Sequence, residues 1–253
     1  MRTVLFTSDE PFYLPRWLRR VFVARADDVA AVVVAPFGDA AAVAREGLRA
    51  FGPVAGARLG ARYLAARTLD RVGADRLTGR YHAVPSVARA FDVPVVRAPD
   101  ANDSGVVERV RELSPELLLS VVCGQKLGSD LLEIPEHAVN VHGSLLPKYR
   151  GRAAGFWPLY HGDDWSGVTA HRMTDRLDAG PVLLRRPFAL TGDDTMLSVY
   201  RKIAATGAAT TVELLDRLPD LDAEPTSPGA GEYRSLPTPA ERRAFRRAGN
   251  RFC

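Results

Sequence analysis

Asn140 and His142 stand two residues apart at the head of the densest polar run in the chain, Asn140-Val141-His142-Gly143-Ser144-Leu145-Leu146-Pro147-Lys148-Tyr149-Arg150-Gly151-Arg152. On an extended strand that spacing turns both side chains to one face, so a carboxamide and an imidazole share one side of an apolar segment. The carboxamide donates hydrogen bonds without titrating, and an imidazole takes up and releases protons near neutral pH. Gly143 and the turn at 147–151 mark a loop that a ligand can approach closely. A second run, Gly167-Val168-Thr169-Ala170-His171-Arg172-Met173-Thr174-Asp175-Arg176-Leu177-Asp178-Ala179-Gly180, carries a strand into a polar loop with two carboxylates and closes on a glycine. One of those carboxylates is suited to orient a histidine. Polar stabilisation and proton transfer are the chemistry these types offer. No Gly-x-Ser-x-Gly pattern surrounds any serine, so a nucleophile elbow is excluded.

These residues need a sheet that ends beside them. Residues 3–7 (TVLFT) form a short apolar run that stops at Ser8-Asp9-Glu10-Pro11, and a mixed pattern follows over 14–26: strand, cap, helix. Residues 29–35 (VAAVVVA) read as a strand covered on both faces, as in a parallel sheet. From 39 to 80 the chain is rich in Ala, Arg and Gly, with helices expected near 40–50 and 57–72. This is longer than an ordinary α/β connection, and Leu59, Tyr63, Ala66 and Val72 are expected to share an apolar stripe. Further strands are expected at 93–96, 117–122, 138–142, 167–173 and 182–190, and helices at 85–91, 104–113, 155–160 and 195–218. Asp193 or Asp194 is the N-cap candidate of that long final helix. The stretch 219–231 reads as a loop before a short tail. The pattern predicts a doubly wound, Rossmann-like α/β domain over 1–190 with the insertion at 39–80, then a C-terminal helix and tail over 191–253. Both polar runs begin at strand ends, where open α/β sheets place their ligand crevice.

Composition narrows the function classes. The 253 residues, 46% hydrophobic and 25% charged, suit one compact domain. Only three of the 34 basic residues are lysines, and the net charge of +4 is spread along the chain except at Arg242, Arg243, Arg246, Arg247 and Arg251. That cluster is too short for a nucleic-acid groove and reads as a solvated helix face. No transmembrane stretch or signal-peptide core is present, which predicts a cytoplasmic protein. Two cysteines and five unpaired histidines give no disulfide framework and no metal site.

The two polar runs, with their N-x-H-x-SLLP and later LDxG patterns, resemble the folate-dependent formyltransferase family. That family includes methionyl-tRNA, glycinamide ribonucleotide and sugar N-formyltransferases. The similarity is good over roughly 93–218 and weak over the opening βαβ unit. It implies that Asn140, His142 and Asp178 are catalytic, and that 10-formyltetrahydrofolate is the formyl donor. It also implies that Cys123, Gly124, Gln125, Lys126 and Leu127 hold the donor's pteridine, largely through backbone groups. HGSLLPKYRGRA is especially similar to the formyltransferase domain that acts on UDP-4-amino-4-deoxy-L-arabinose. Ser144, Lys148, Arg150 and Arg152 are accordingly substrate-binding candidates, for the folate glutamate tail or an acceptor phosphate.

In that chemistry an amine attacks the formyl carbon, so an oxyanion needs preorganised donors and an ammonium must lose a proton. Asn140 and protonated His142 supply donors, and Asp178 favours the charged imidazole and steers the proton. About 35 residues follow position 218, too few for the tRNA-binding barrel of methionyl-tRNA formyltransferases. Ser8-Asp9-Glu10 stands where glycinamide ribonucleotide formyltransferases carry a Gly-rich phosphate loop. The expected acceptor is therefore an amine on a small molecule, such as a nucleotide-linked amino sugar, with no tRNA domain and no nucleic-acid partner. A formyltetrahydrofolate hydrolase, or a non-catalytic folate- or nucleotide-binding relic, is the alternative. His171 reads as a packed or surface histidine, as do His82, His137 and His161. Phe156 and Trp157 read as core, and Cys123 as a small core residue or ligand lining. The insertion is expected to pack on its own domain or on a second subunit of a homodimer, with cover of the acceptor site or contact with a membrane surface as the other readings of its apolar stripe.

Overall fold

The computed structural model describes residues 1–36, 40–226 and 231–253, and of residues 40–44 and 46 only the backbone. Asp39, and 227–230 of the expected loop, lie outside the described residues. The elements run β1 (Thr3–Thr7), α1 (Leu14–Arg25), β2 (Val29–Val34), α2 (Ala40–Phe51), α3 (Pro53–Arg71), α4 (Asp75–Thr78), α5 (Val84–Ala90), β3 (Val95–Arg97) and α6 (Ser104–Leu113). They continue with β4 (Leu117–Val121), α7 (Ser129–Leu132), β5 (His137–His142), β6 (Tyr149–Gly151), α8 (Trp157–His161), β7 (Trp165–Arg172), β8 (Val182–Ala189), α9 (Met196–Arg217), β9 (Glu232–Arg234) and α10 (Pro239–Arg247).

Seven strands form one sheet in the order β3-β2-β1-β4-β5-β7-β8. Strands β1 to β5 are parallel, and β7 and β8 close the sheet as antiparallel strands. The central strands are apolar on both faces because both are covered. Leu5, Val32, Leu117 and Leu119 pack under α1, α5 and α9, whereas Val4, Phe6, Val33 and Leu118 pack under α6 and α7. Strand order reverses between β1 and β4, which opens a crevice at their carboxyl ends.

Capping differs from expectation at one place and agrees at another. The N-cap of α9 is Thr195, in a reciprocal box with Ser198, rather than Asp193 or Asp194. Asp194 instead accepts from the Thr191 N–H and from Lys202. At α1 the expected cap segment does its work through Glu10, whose carboxylate accepts from the N–H groups of Phe12, Tyr13 and Leu14. Those are among the donors a helix start leaves unpaired.

The insertion docks over the β1–α1 turn. Arg67 Nη1 lies 2.5 Å from Asp9 Oδ2, and the Arg62 guanidinium sits 5.6 Å from the Phe12 ring centroid. Leu59, Tyr63 and Ala66 turn inward as the stripe predicts, but Val72 turns out and is 71% exposed. The segment after α9 is more than a tail. Strand β9 pairs in parallel with β6 as a second small sheet, and Phe245 and Phe252 enter the core, with Phe245 stacked 4.6 Å from Phe156. Arg242 and Arg246 of α10 donate to the carbonyls of Arg49 and Phe51. The arginine cluster thereby satisfies carbonyls that the end of α2 leaves unpaired, where positive charge is also favoured. Among the described residues no helix is long and apolar enough to cross a membrane.

Candidate active site

Strand β5 delivers Asn140 and His142 to the crevice, flanked by β4 in parallel and β7 in antiparallel register. Asn140 lies opposite His171 on β7. The loop after β7 then brings Asp178 back over both strands. Gly180 closes that loop because a Cβ there would overlap the Arg172 carbonyl.

Three side chains converge on one oxygen. Asp178 Oδ1 is 3.3 Å from Asn140 Nδ2, 3.6 Å from His142 Nδ1 and 3.5 Å from His171 Nε2. Asp178 Oδ2 accepts the Gly151 N–H at 2.8 Å. Burial alone raises the Asp178 carboxyl, but the facing His142 imidazole, the neighbouring His171 ring and the Gly151 N–H outweigh it and hold the group well below the ordinary carboxylate range. The resting acid is thus ionised at neutral pH. His142 is 9% exposed, and its Nε2 lies 2.9 Å from the Tyr149 carbonyl. Its Nδ1 faces the Asp178 carboxylate at 3.6 Å, outside hydrogen-bond distance.

A depressed carboxyl contributes stability that is complete above its unfolded value, about 3.9, and lost as pH falls through the folded one. The melting-temperature gap between the protein and its Asp178→Asn variant is therefore expected to be widest near neutrality and to shrink below about pH 4. A gap of constant size down to the acid limit of folding contradicts this assignment.

Non-glycine residues with positive φ border the site: Val122 at 50°, Ala153 at 60° and Asp178 at 50°. For a β-branched residue such as Val122 the conformation is costly, and strain of this kind gathers where a site is over-determined. Val122 opens the loop that contains Cys123, Gly124, Gln125, Lys126 and Leu127. Here the Gly124 N–H donates to Ser8 Oγ at 3.0 Å, and Gln125 spends its amide on the Ala101 N–H and the carbonyls of Pro36 and Pro99. Lys126 Nζ donates to the Asp175 carbonyl at 2.6 Å, and Leu127 is buried. The Gln125 amide and Lys126 ammonium are engaged within the protein. Cys123 is half-buried, and burial pushes its thiol up, away from thiolate chemistry.

The remaining candidates are engaged internally. Ser144 Oγ is buried and donates to the Tyr149 carbonyl, and Arg150 donates to the Leu177 carbonyl. Lys148 pairs with Asp163 at the surface. The backbone N–H of Arg152 donates to Arg234 in the β6–β9 pair. Phe156 and Trp157 are core, as expected. His171 is 2% exposed, which fits a packed residue, yet its ring touches both Asn140 and Asp178. Sequence reasoning set it aside because a histidine within an apolar strand carries no mark of its own. The usable signal was its place seven residues before Asp178, on a strand that pairs with β5.

Among proteins of known kind, the chain is 37% identical over 169 residues to the methionyl-tRNA formyltransferase of Thermosynechococcus vestitus, covering 64% of this chain and 51% of that protein. It is 40% identical over 157 residues to that of Pelobacter propionicus, covering 60% and 49%. The chain thus spans about half the length of these relatives. A sugar N-formyltransferase from Shewanella superposes with a TM-score of 0.61 at 17% identity, over 98% of this chain and 88% of that one. An N-formyltransferase from Helicobacter canadensis, solved with folinic acid and dTDP-3-aminofucose, gives 0.60 at 16% identity, over 93% and 71%. These structural likenesses speak for the fold. The formyl transferase pattern itself matches residues 61–215, more than half of the sequence, and the protein belongs to the formyl transferase family.

Proposed function

We propose that the protein transfers the formyl group of 10-formyltetrahydrofolate to a primary amine on a small biosynthetic acceptor, with nucleotide-linked amino sugars as the favoured class. The observation that carries this reading is the convergence of Asn140, His142 and Asp178 beside a loop whose Gln125 and Lys126 side chains are already engaged. In this reading the backbone of 123–127 holds the pteridine. Asn140 and His142 donate to the oxyanion that forms as the amine attacks, and the 3.6 Å gap between His142 Nδ1 and Asp178 leaves that nitrogen open to the reacting group. Asp178 receives the ammonium proton, directly or through water, and the folate nitrogen leaves with a proton in turn.

Two observations bear on the acceptor. Where a phosphate loop would stand, Asp9 is spent on Arg67 and the Val84 N–H, and the Glu10 carboxylate already fills the start of α1. The Helicobacter canadensis neighbour was solved with an amino-sugar nucleotide. The 37% identity to a methionyl-tRNA formyltransferase favours a second reading, in which the amine is that of methionyl-tRNA. The test follows tetrahydrofolate release from 10-formyltetrahydrofolate with nucleotide-linked amino sugars, with methionyl-tRNA and with no acceptor. Release that needs an amino sugar supports the proposal, and release that needs methionyl-tRNA selects the second reading. Acceptor-independent release means a hydrolase, and neither release nor folate binding removes the enzymatic reading.

The donor loop gives a prediction of its own. Gly124→Val is expected to weaken folate binding at least about tenfold, because a side chain there intrudes where backbone must approach a ligand. Lys126→Ala is expected to change binding by less than about threefold, since the exposed ammonium only bridges to the Asp175 carbonyl. Titration calorimetry with folinic acid measures both, and the reverse order means a side-chain site.

A further inference from the structure

We infer that His171 is a positioning residue that sets the orientation of the Asn140 carboxamide and so leaves one of its N–H bonds for the formyl oxygen. This rests on the proposed role of Asn140. His171 Nδ1 lies 2.9 Å from the Arg172 carbonyl, which only accepts, so a neutral ring carries its one proton on Nδ1. Nε2 is then bare and can only accept. Its nearest partner, at 3.1 Å, is Asn140 Nδ2, whereas Asp178 Oδ1 stands at the limit of hydrogen bonding, 3.5 Å away.

Two acceptors, His171 Nε2 and Asp178 Oδ1, therefore face the same end of Asn140. A carboxamide turned the other way would set its own oxygen against both. The amide is thus fixed with its NH2 group toward them, and only while the ring presents a bare nitrogen. The three atoms form a nearly equilateral triangle with sides of 3.1, 3.3 and 3.5 Å. Seen from Nδ2, the two acceptors are much closer together than the about 120° between the hydrogens of an amide group. One hydrogen is shared between them, and the second points elsewhere. Burial of His171 on β7, opposite Asn140 in the register, keeps the ring from turning.

The test is a double-mutant cycle read together with the ring's tautomer. His171→Leu is expected to lower kcat by up to about 100-fold, the loss of one oxyanion donor, while the folate dissociation constant stays within about twofold. In an Asn140→Ala background the same change is expected to have no further effect, because a residue acting through Asn140 has nothing left to position. His171→Gln, which returns an acceptor oxygen, is expected to recover most of the loss. Independently of activity, 15N spectra of the imidazoles at neutral pH are expected to show His171 protonated at Nδ1 and bare at Nε2. Losses that multiply in the cycle overturn the inference, and so does a His171 ring protonated at Nε2. If no acceptor is formylated at all, the proposed function fails while the spectra still decide the tautomer.

Discussion

His142→Ala is expected to lower kcat for formyl transfer by about 100-fold or more while changing the folate dissociation constant by less than about threefold. The reason is where charge appears. His142 faces the Tyr149 carbonyl on one side and Asp178 on the other, so it interacts most with the charge that develops during attack and least with the resting donor. A variant that loses kcat and kcat/KM together has lost an interaction made only in the transition state. Asn140→Ala is expected to behave alike, with a loss of about 100-fold for one oxyanion donor. Asp178→Asn keeps the shape of the side chain but removes the charge, and it too is expected to act on kcat. Single-turnover kinetics with the accepted amine measures these effects. Full activity in His142→Ala removes the residue from the mechanism.

The second large effect concerns stability. Gly207 lies on the inner face of α9, and a Cβ there would enter the ring of Trp17. That ring cannot give way, being 2% exposed on α1 and tethered by its Nε1–H to Thr211 Oγ1 at 3.1 Å. Helix propensity alone favours Gly207→Ala by about 1 kcal/mol, whereas overpacking a filled core costs about 1–3 kcal/mol or more. The overlap with a rigid neighbour decides the sign. Gly207→Ala is expected to lower the melting temperature by a few degrees, and Gly207→Val by considerably more. Gly60 is the control. It lies inside α3 with nothing within 4 Å of an added Cβ, so Gly60→Ala is expected to stabilise by up to about 1 kcal/mol. Equal effects of Gly207→Ala and Gly60→Ala would contradict the packing argument.

What the sequence made legible follows from which features are local. Strands β1, β2 and β4 are short apolar runs because they are covered on both faces, and such runs stand out without any partner being known. The two-residue spacing of Asn140 and His142 fixes their common face by pleat alone. Other features depend on partners distant in the chain. The three residues of β9 follow a Pro- and Gly-rich stretch and carry no periodicity, and their place is set by pairing with β6. The α10 arginines look like a solvated face until the carbonyls at the end of α2 are known to lie beneath them. At α9 the sequence offered Asp193 or Asp194 as the N-cap, and the reciprocal bonds with Ser198 place the cap one residue later, at Thr195. His171 was hidden because a buried histidine in a strand leaves the same trace whether or not its ring reaches polar neighbours such as Asn140 and Asp178.

The parallel pairing of β6 with β9 has a consequence for the order in which the site is built. Gly151, whose N–H holds Asp178 Oδ2, sits in the strand that pairs with residues 232–234, and the Arg152 N–H reaches the Arg234 carbonyl at 2.7 Å. Along the chain, α8, β7, β8 and α9 all lie between these partners. During translation the whole seven-stranded sheet is made before the strand that pairs with β6. Domains generally fold as units during synthesis, so the segment that pairs with Gly151 and Arg152 is among the last supports of the Asp178 loop to be made. The core waits in the same way for Phe245 and Phe252, so packing of the core and support of the Asp178 loop are both completed by the last residues of the sequence.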